Sequence, residues 1–103
     1  MKVIKMYYRT YLSEYGSAVA VCDKELVGKK LKFKDTEFFV NPRFYQAKEG
    51  TEQEIILLLK EAVNINLIGK EAVEAGRKAG VIDEKNIIMI GKVPHAQAVV
   101  MTF

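Results

Sequence analysis

The chain carries one histidine and one cysteine, His95 and Cys22, and these are its natural candidates for acid–base or nucleophilic chemistry. An imidazole within hydrogen-bond reach of a thiol can take its proton, and a carboxylate such as Asp23 can orient that imidazole. A pocket collecting His95, Gln97, Asp23 and Cys22 would make a small enzyme or a ligand-binding protein. Cys22 ends the apolar run Ala18-Val19-Ala20-Val21-Cys22, which equally reads as a buried, inert thiol. His95 lies in Gly91-Lys92-Val93-Pro94-His95-Ala96-Gln97, read here as the turn of a terminal β-hairpin. Pro94 fixes its own φ and keeps Val93 out of the helical region, so the turn holds His95 in a defined direction. An imidazole that merely bonds a carbonyl at a strand end accounts for the same residues.

One cysteine and one histidine cannot supply the four nitrogen or sulfur ligands of a structural zinc site, and no metal or cofactor is expected. Glycine–lysine pairs begin at Gly28, Gly69 and Gly91. None has a glycine five positions upstream and a Ser or Thr after the lysine, so none is a P-loop.

Charge recognition is the second kind of chemistry on offer. Lys30, Lys32 and Lys34 alternate with Leu31 and Phe33, Lys24 and Lys29 lie just upstream, and Lys5, Tyr7 and Arg9 share one side of the first extended segment. Lysines facing phosphates give salt-sensitive affinity, and a tyrosine can stack on an unpaired base. The formal charge of +3 is unevenly placed: through Lys48 there are ten Lys or Arg against five Asp or Glu, and from Glu49 onward six against eight. This asymmetry suits an RNA or ribonucleoprotein partner, although alternating lysines also protect an edge strand from unwanted pairing. A third candidate is the helix start around Asn64, Asn66, Gly69 and Lys70, where amides and the helix dipole could receive an anion or simply be capped. Phe44 and Tyr45 read as core aromatics or as a stacking platform. The exposed parts of Phe38, Phe39 and Tyr45 would suit a protein partner.

A single α+β domain over residues 1–103 must position these groups. The chain is 50% hydrophobic and 28% charged, which is a globular composition. Its apolar run Ile55–Leu59 is far short of the roughly 20 residues of a membrane span. Met1 to Lys5 lack a secretory pattern, and a lone cysteine suits a reducing compartment, so a cytoplasmic setting without a membrane partner is expected.

Residues 2–8 alternate as a strand with one wet face, and Ala18–Cys22 reads as a central strand. Asp23 is expected to cap a helical turn through Val27. Lys30–Lys34 and Glu37–Val40 read as a hairpin, and Phe44–Ala47 as a short extended piece. Thr51 and Glu54 have capping-box spacing before the clearest helix. Asn64–Ile68 reads as a connector or brief strand, followed by a second helix through Ala79. Ile87–Ile90 and Ala98–Met101 complete the set. This order predicts a two-layer sandwich, with a mostly antiparallel sheet and two helices on one face.

Cys22-Asp23, Phe44-Tyr45, Asn66-Leu67-Ile68-Gly69 and the terminal Gly91–Gln97 element together resemble a family of small archaeal proteins, domain of unknown function 424. The likeness spans nearly the whole chain, and Val93–Gln97 with its preceding glycine is its most specific part. The resemblance implies a two-layer α+β domain in an archaeal cytoplasm and supplies no activity. A non-enzymatic RNA- or ribonucleoprotein-binding module that uses the basic amino-terminal face and the His95 turn is the leading functional expectation, with the pocket of His95, Gln97, Asp23 and Cys22 as the alternative.

Overall fold

Ala18 to Cys22 send apolar side chains to both sides of a strand, so a sheet built around them needs cover on both faces. The computed structural model, described for residues 3–99, provides that cover. Strands β1 (Lys5–Ser13) and β2 (Gly16–Asp23) form a hairpin, followed by a short 3₁₀ turn and the small hairpin β3 (Lys30–Phe33) and β4 (Thr36–Phe39). Helix α1 (Pro42–Tyr45), β5 (Lys48–Thr51), α2 (Glu52–Glu61), β6 (Asn64–Ile68), α3 (Lys70–Ala79), β7 (Ile87–Ile90) and β8 (Val93–Val99) complete the described chain. The main sheet runs β5-β1-β2-β6-β8-β7, and β3–β4 is a separate two-stranded sheet. Every pair in the main sheet is antiparallel except β2–β6. The expected mostly antiparallel α+β architecture is therefore correct.

Alternation along the strands sorts the side chains into two cores. Met6, Val19, Val21, Ile65, Leu67 and Ala96 face α2 and α3, where Ile55, Leu59, Ala72, Val73 and Ala75 close over them. Ala20, Cys22, Ile68 and Ile90 face the other way, under Leu26, Val40 and Tyr45, with Leu31 and Phe38 of the small hairpin packed against them. The second face is covered over only part of its area, and this leaves room for a groove. No helix among the described residues is long and apolar enough to cross a membrane.

The capping box that starts α2 forms as its spacing predicts. Thr51 Oγ1 accepts from Glu54 N at 3.3 Å, and Glu54 Oε1 accepts from Thr51 N at 2.9 Å. Other local expectations need correction. Phe44–Ala47 does not extend: Asn41 Oδ1 accepts from Arg43 N, Pro42 supplies a preset φ, and one helical turn forms, with Tyr45 inside the second core. Lys48–Thr51 is instead the extended piece, an edge strand beside β1. Asn64–Ile68 is a central strand, flanked by β2 and β8. Of the last expected strand, Val100 and Met101 lie outside the described residues.

Candidate functional site

The terminal hairpin is tighter than its sequence suggests. Ile90 pairs with Val93, so only Gly91 and Lys92 form the turn, and Gly91 takes the positive φ of 64° favoured at the first centre of a two-residue hairpin turn. Val93 to Gln97 belong to strand β8. Pro94 is tolerated there because its carbonyl accepts from Gly69 N at 2.9 Å, where the chain has already left β6. Its nitrogen faces the same way, so no ladder bond is lost.

His95 is consequently a sheet residue and not a presented loop residue. It is only 6% exposed and lies beneath the small hairpin, its ring centroid 5.3 Å from that of Phe38. Nδ1 lies 2.8 Å from the Leu67 carbonyl oxygen, so it carries the proton and donates. Burial holds the imidazole below its ordinary pKa, against the opposing effect of that hydrogen bond.

Cys22 and Asp23 serve separate structural purposes. Register places Ile68 between Cys22 and His95 across β2, β6 and β8, and the Cys22 thiol donates to the Asp23 carbonyl at 3.0 Å. Burial, reinforced by the Asp23 and Glu25 carboxylates, pushes that thiol up to about 12. The Asp23 side chain does not cap its own helical turn, as sequence proximity suggested. It crosses to α3, where Oδ1 accepts from Ala72 N at 2.8 Å and Oδ2 from Glu71 N at 3.1 Å. The anion-receiving helix start expected near Gly69 and Lys70 is thus filled by the protein's own carboxylate. Burial and then the neighbouring Glu71 side chain push Asp23 up to about 7, against the pull of the two amides. Asp23, Glu25 and Glu71 bring ligand oxygens within 4.8 Å of one another, but both Asp23 oxygens are already committed to amides. The proposed pocket of His95, Gln97, Asp23 and Cys22 is not assembled.

A groove that the residue pattern did not reveal occupies the open part of the second sheet face. Its volume is about 340 Å³, and Tyr11, Phe44, Asn64, Asn66 and Gln97 supply its chemistry. Tyr11 and Phe44 stack with centroids 5.5 Å apart and ring planes 29° from parallel. The Tyr11 hydroxyl donates to the Phe44 carbonyl at 2.8 Å, which fixes the pair. Both residues are more than one-third exposed, enough to offer a surface to a ligand. Tyr45 packs edge-on to Phe44 and donates its hydroxyl to Asn66 Oδ1 at 2.6 Å. Asn66 is directly opposite Gln97 in the β6–β8 register. The available signal was the alternation of amides with apolar residues in Asn64-Ile65-Asn66-Leu67. It marks a strand with one face in a core and the other on a polar surface.

The family model described as a protein of unknown function (DUF424) matches residues 11–101. The chain belongs to that family. It is also similar to a crystal structure described as an uncharacterized conserved protein from Methanopyrus kandleri, with a TM-score of 0.82, 24% identity and coverage of 96% of each chain. That likeness is one of fold. No curated protein matches the chain.

In this DUF424 chain the predicted basic residues fall into two groups. Lys24 Nζ sits 5.5 Å from the Tyr7 ring centroid and pairs with Glu49, so Tyr7 is already covered and Lys24 already compensated. Lys5 is exposed on the same strand, and Arg9 is half-buried, its Nε without a hydrogen-bond partner among the described residues. Lys29, Lys30, Lys32 and Lys34 are exposed on or beside the small hairpin, on the same side of the main sheet as the groove. Lys34 lies 5.4 Å from the Phe33 ring centroid.

Proposed function

We propose that this protein is a non-enzymatic module that binds single-stranded RNA, alone or within a ribonucleoprotein, through the sheet face opposite α2 and α3. The observation that carries this reading is the fixed Tyr11–Phe44 pair bordering a row of sheet amides. Unpaired bases are commonly bound by stacking on aromatics displayed by a sheet, with polar groups reading their edges. Each such stack is worth about 1–3 kcal/mol. Exposed Lys30, Lys32 and Lys34 on the same side of the sheet offer contacts for the backbone phosphates.

Crosslinking in cell lysate, followed by binding titrations at increasing salt, tests the proposal. The expected result is recovered RNA whose affinity falls as counterions compete. Absence of crosslinked RNA, or affinity indifferent to salt, overturns it.

A further inference from the structure

We propose, resting on the RNA-binding reading, that the groove distinguishes bases and prefers those carrying a carbonyl, uracil and guanine, over those carrying an amino group, cytosine and adenine. Tyr45 is 2% exposed and locked in the second core. Its hydroxyl has the Asn66 side-chain oxygen as its partner, at 2.6 Å. Because the phenol donates, Asn66 Oδ1 is held against Tyr45, with one of its two lone pairs occupied, and the amide is set in one orientation. The Asn66 amino group has no hydrogen-bond partner of its own among the described residues, and Asn66 lines the groove, so this group is the donor the residue offers a ligand there.

A fixed amino group is a selective reader. Uracil and guanine present acceptor oxygens where cytosine and adenine present amino donors. A base resting on Tyr11 and Phe44 and meeting Asn66 gains a hydrogen bond in the first case and faces two opposed donors in the second. The adjacent Gln97 amide is exposed and has no side-chain constraint of this kind among the described residues, so it adapts to the remaining edge atoms. The specificity therefore rests on Asn66.

The experiment compares the full chain's affinity for oligouridylate against oligocytidylate, and for oligoinosinate against oligoadenylate. Each pair exchanges a carbonyl for an amino group, and the adjacent ring N–H donor for an acceptor, at nearly constant size; the Asn66 variants assign the response to the carbonyl or amino position. Preference for the carbonyl member by about tenfold is expected, the scale of one well-made base contact. Asn66→Asp retains an acceptor for Tyr45 and replaces the amino donor with an acceptor, so it should erase or invert the preference. Tyr45→Phe releases the amide and should reduce it. Equal wild-type binding within each pair overturns this inference while leaving RNA binding intact. An unchanged preference in Asn66→Asp also overturns it. Failure to bind any of the four overturns the RNA-binding reading and this inference together.

Discussion

The Asp23 carboxylate occupies the space into which a side chain on Gly69 would project. Gly69 also adopts φ of 111°, a conformation costly to any residue with a β-carbon. These two constraints let β6 end, turn and start α3 directly over a carboxylate that caps it. Gly69→Ala should therefore lower stability by about 3 kcal/mol or more, combining backbone strain with displacement of the cap. Denaturant unfolding checks this, and a loss below about 1 kcal/mol would contradict the tight fit.

Asp23 should also leave a signature in the pH dependence of stability. Its folded pKa is raised to about 7 from the ordinary carboxyl value of 3.8, mainly by burial. Between those values the folded protein retains a proton that the unfolded chain has released. The resulting stabilisation is full below the unfolded pKa and is lost as pH rises through about 7. Asp23→Asn, which cannot titrate, should flatten the stability profile over that window. A variant profile that keeps the wild-type slope would count against this assignment.

His95 should act in the opposite direction. Burial lowers its folded pKa below the ordinary imidazole value of 6.5. As pH falls through that value, the unfolded chain takes up a proton first, so stability is lost toward the folded pKa. Since the chain has one histidine, NMR can follow its ring without ambiguity. The ring should stay neutral, with Nδ1 protonated, below the normal titration range.

Local chemistry was legible where a few adjacent residues determine the outcome. Thr51 and Glu54 satisfy each other within one helical turn, and Ala18–Cys22 must be central whatever packs on it. The strand β6 was harder to read because Asn64 and Asn66 interrupt its apolar run; both line the groove, and Asn66 also accepts the hydroxyl of the buried Tyr45. Pro94 resembled a turn residue because its lost donor matters only relative to where β6 stops. Asp23 suggested a local cap, yet its partners are 48 and 49 positions away. The Tyr11–Phe44 pair spans 33 positions with no local signal joining its members. Candidate chemistry could thus be drawn from residue types, while its assembly depended on register and crossover.

Aromatic and basic residues should contribute to RNA binding in separable ways. Phe44 offers a neutral stacking surface, so Phe44→Ala should weaken affinity by about 1–3 kcal/mol without changing how steeply binding depends on salt. Lys32 is exposed, so Lys32→Ala should perturb the fold little. If its ammonium contacts a phosphate, the slope of log affinity against log salt should become shallower by about 0.7, the value for one phosphate on a single strand. The same substitution should weaken all sequences alike, because a phosphate contact carries no base information. Measuring both slopes on one oligonucleotide separates the roles. Were Phe44→Ala to change the slope and Lys32→Ala to leave it unchanged, the strand would not follow the path from aromatic groove to basic hairpin.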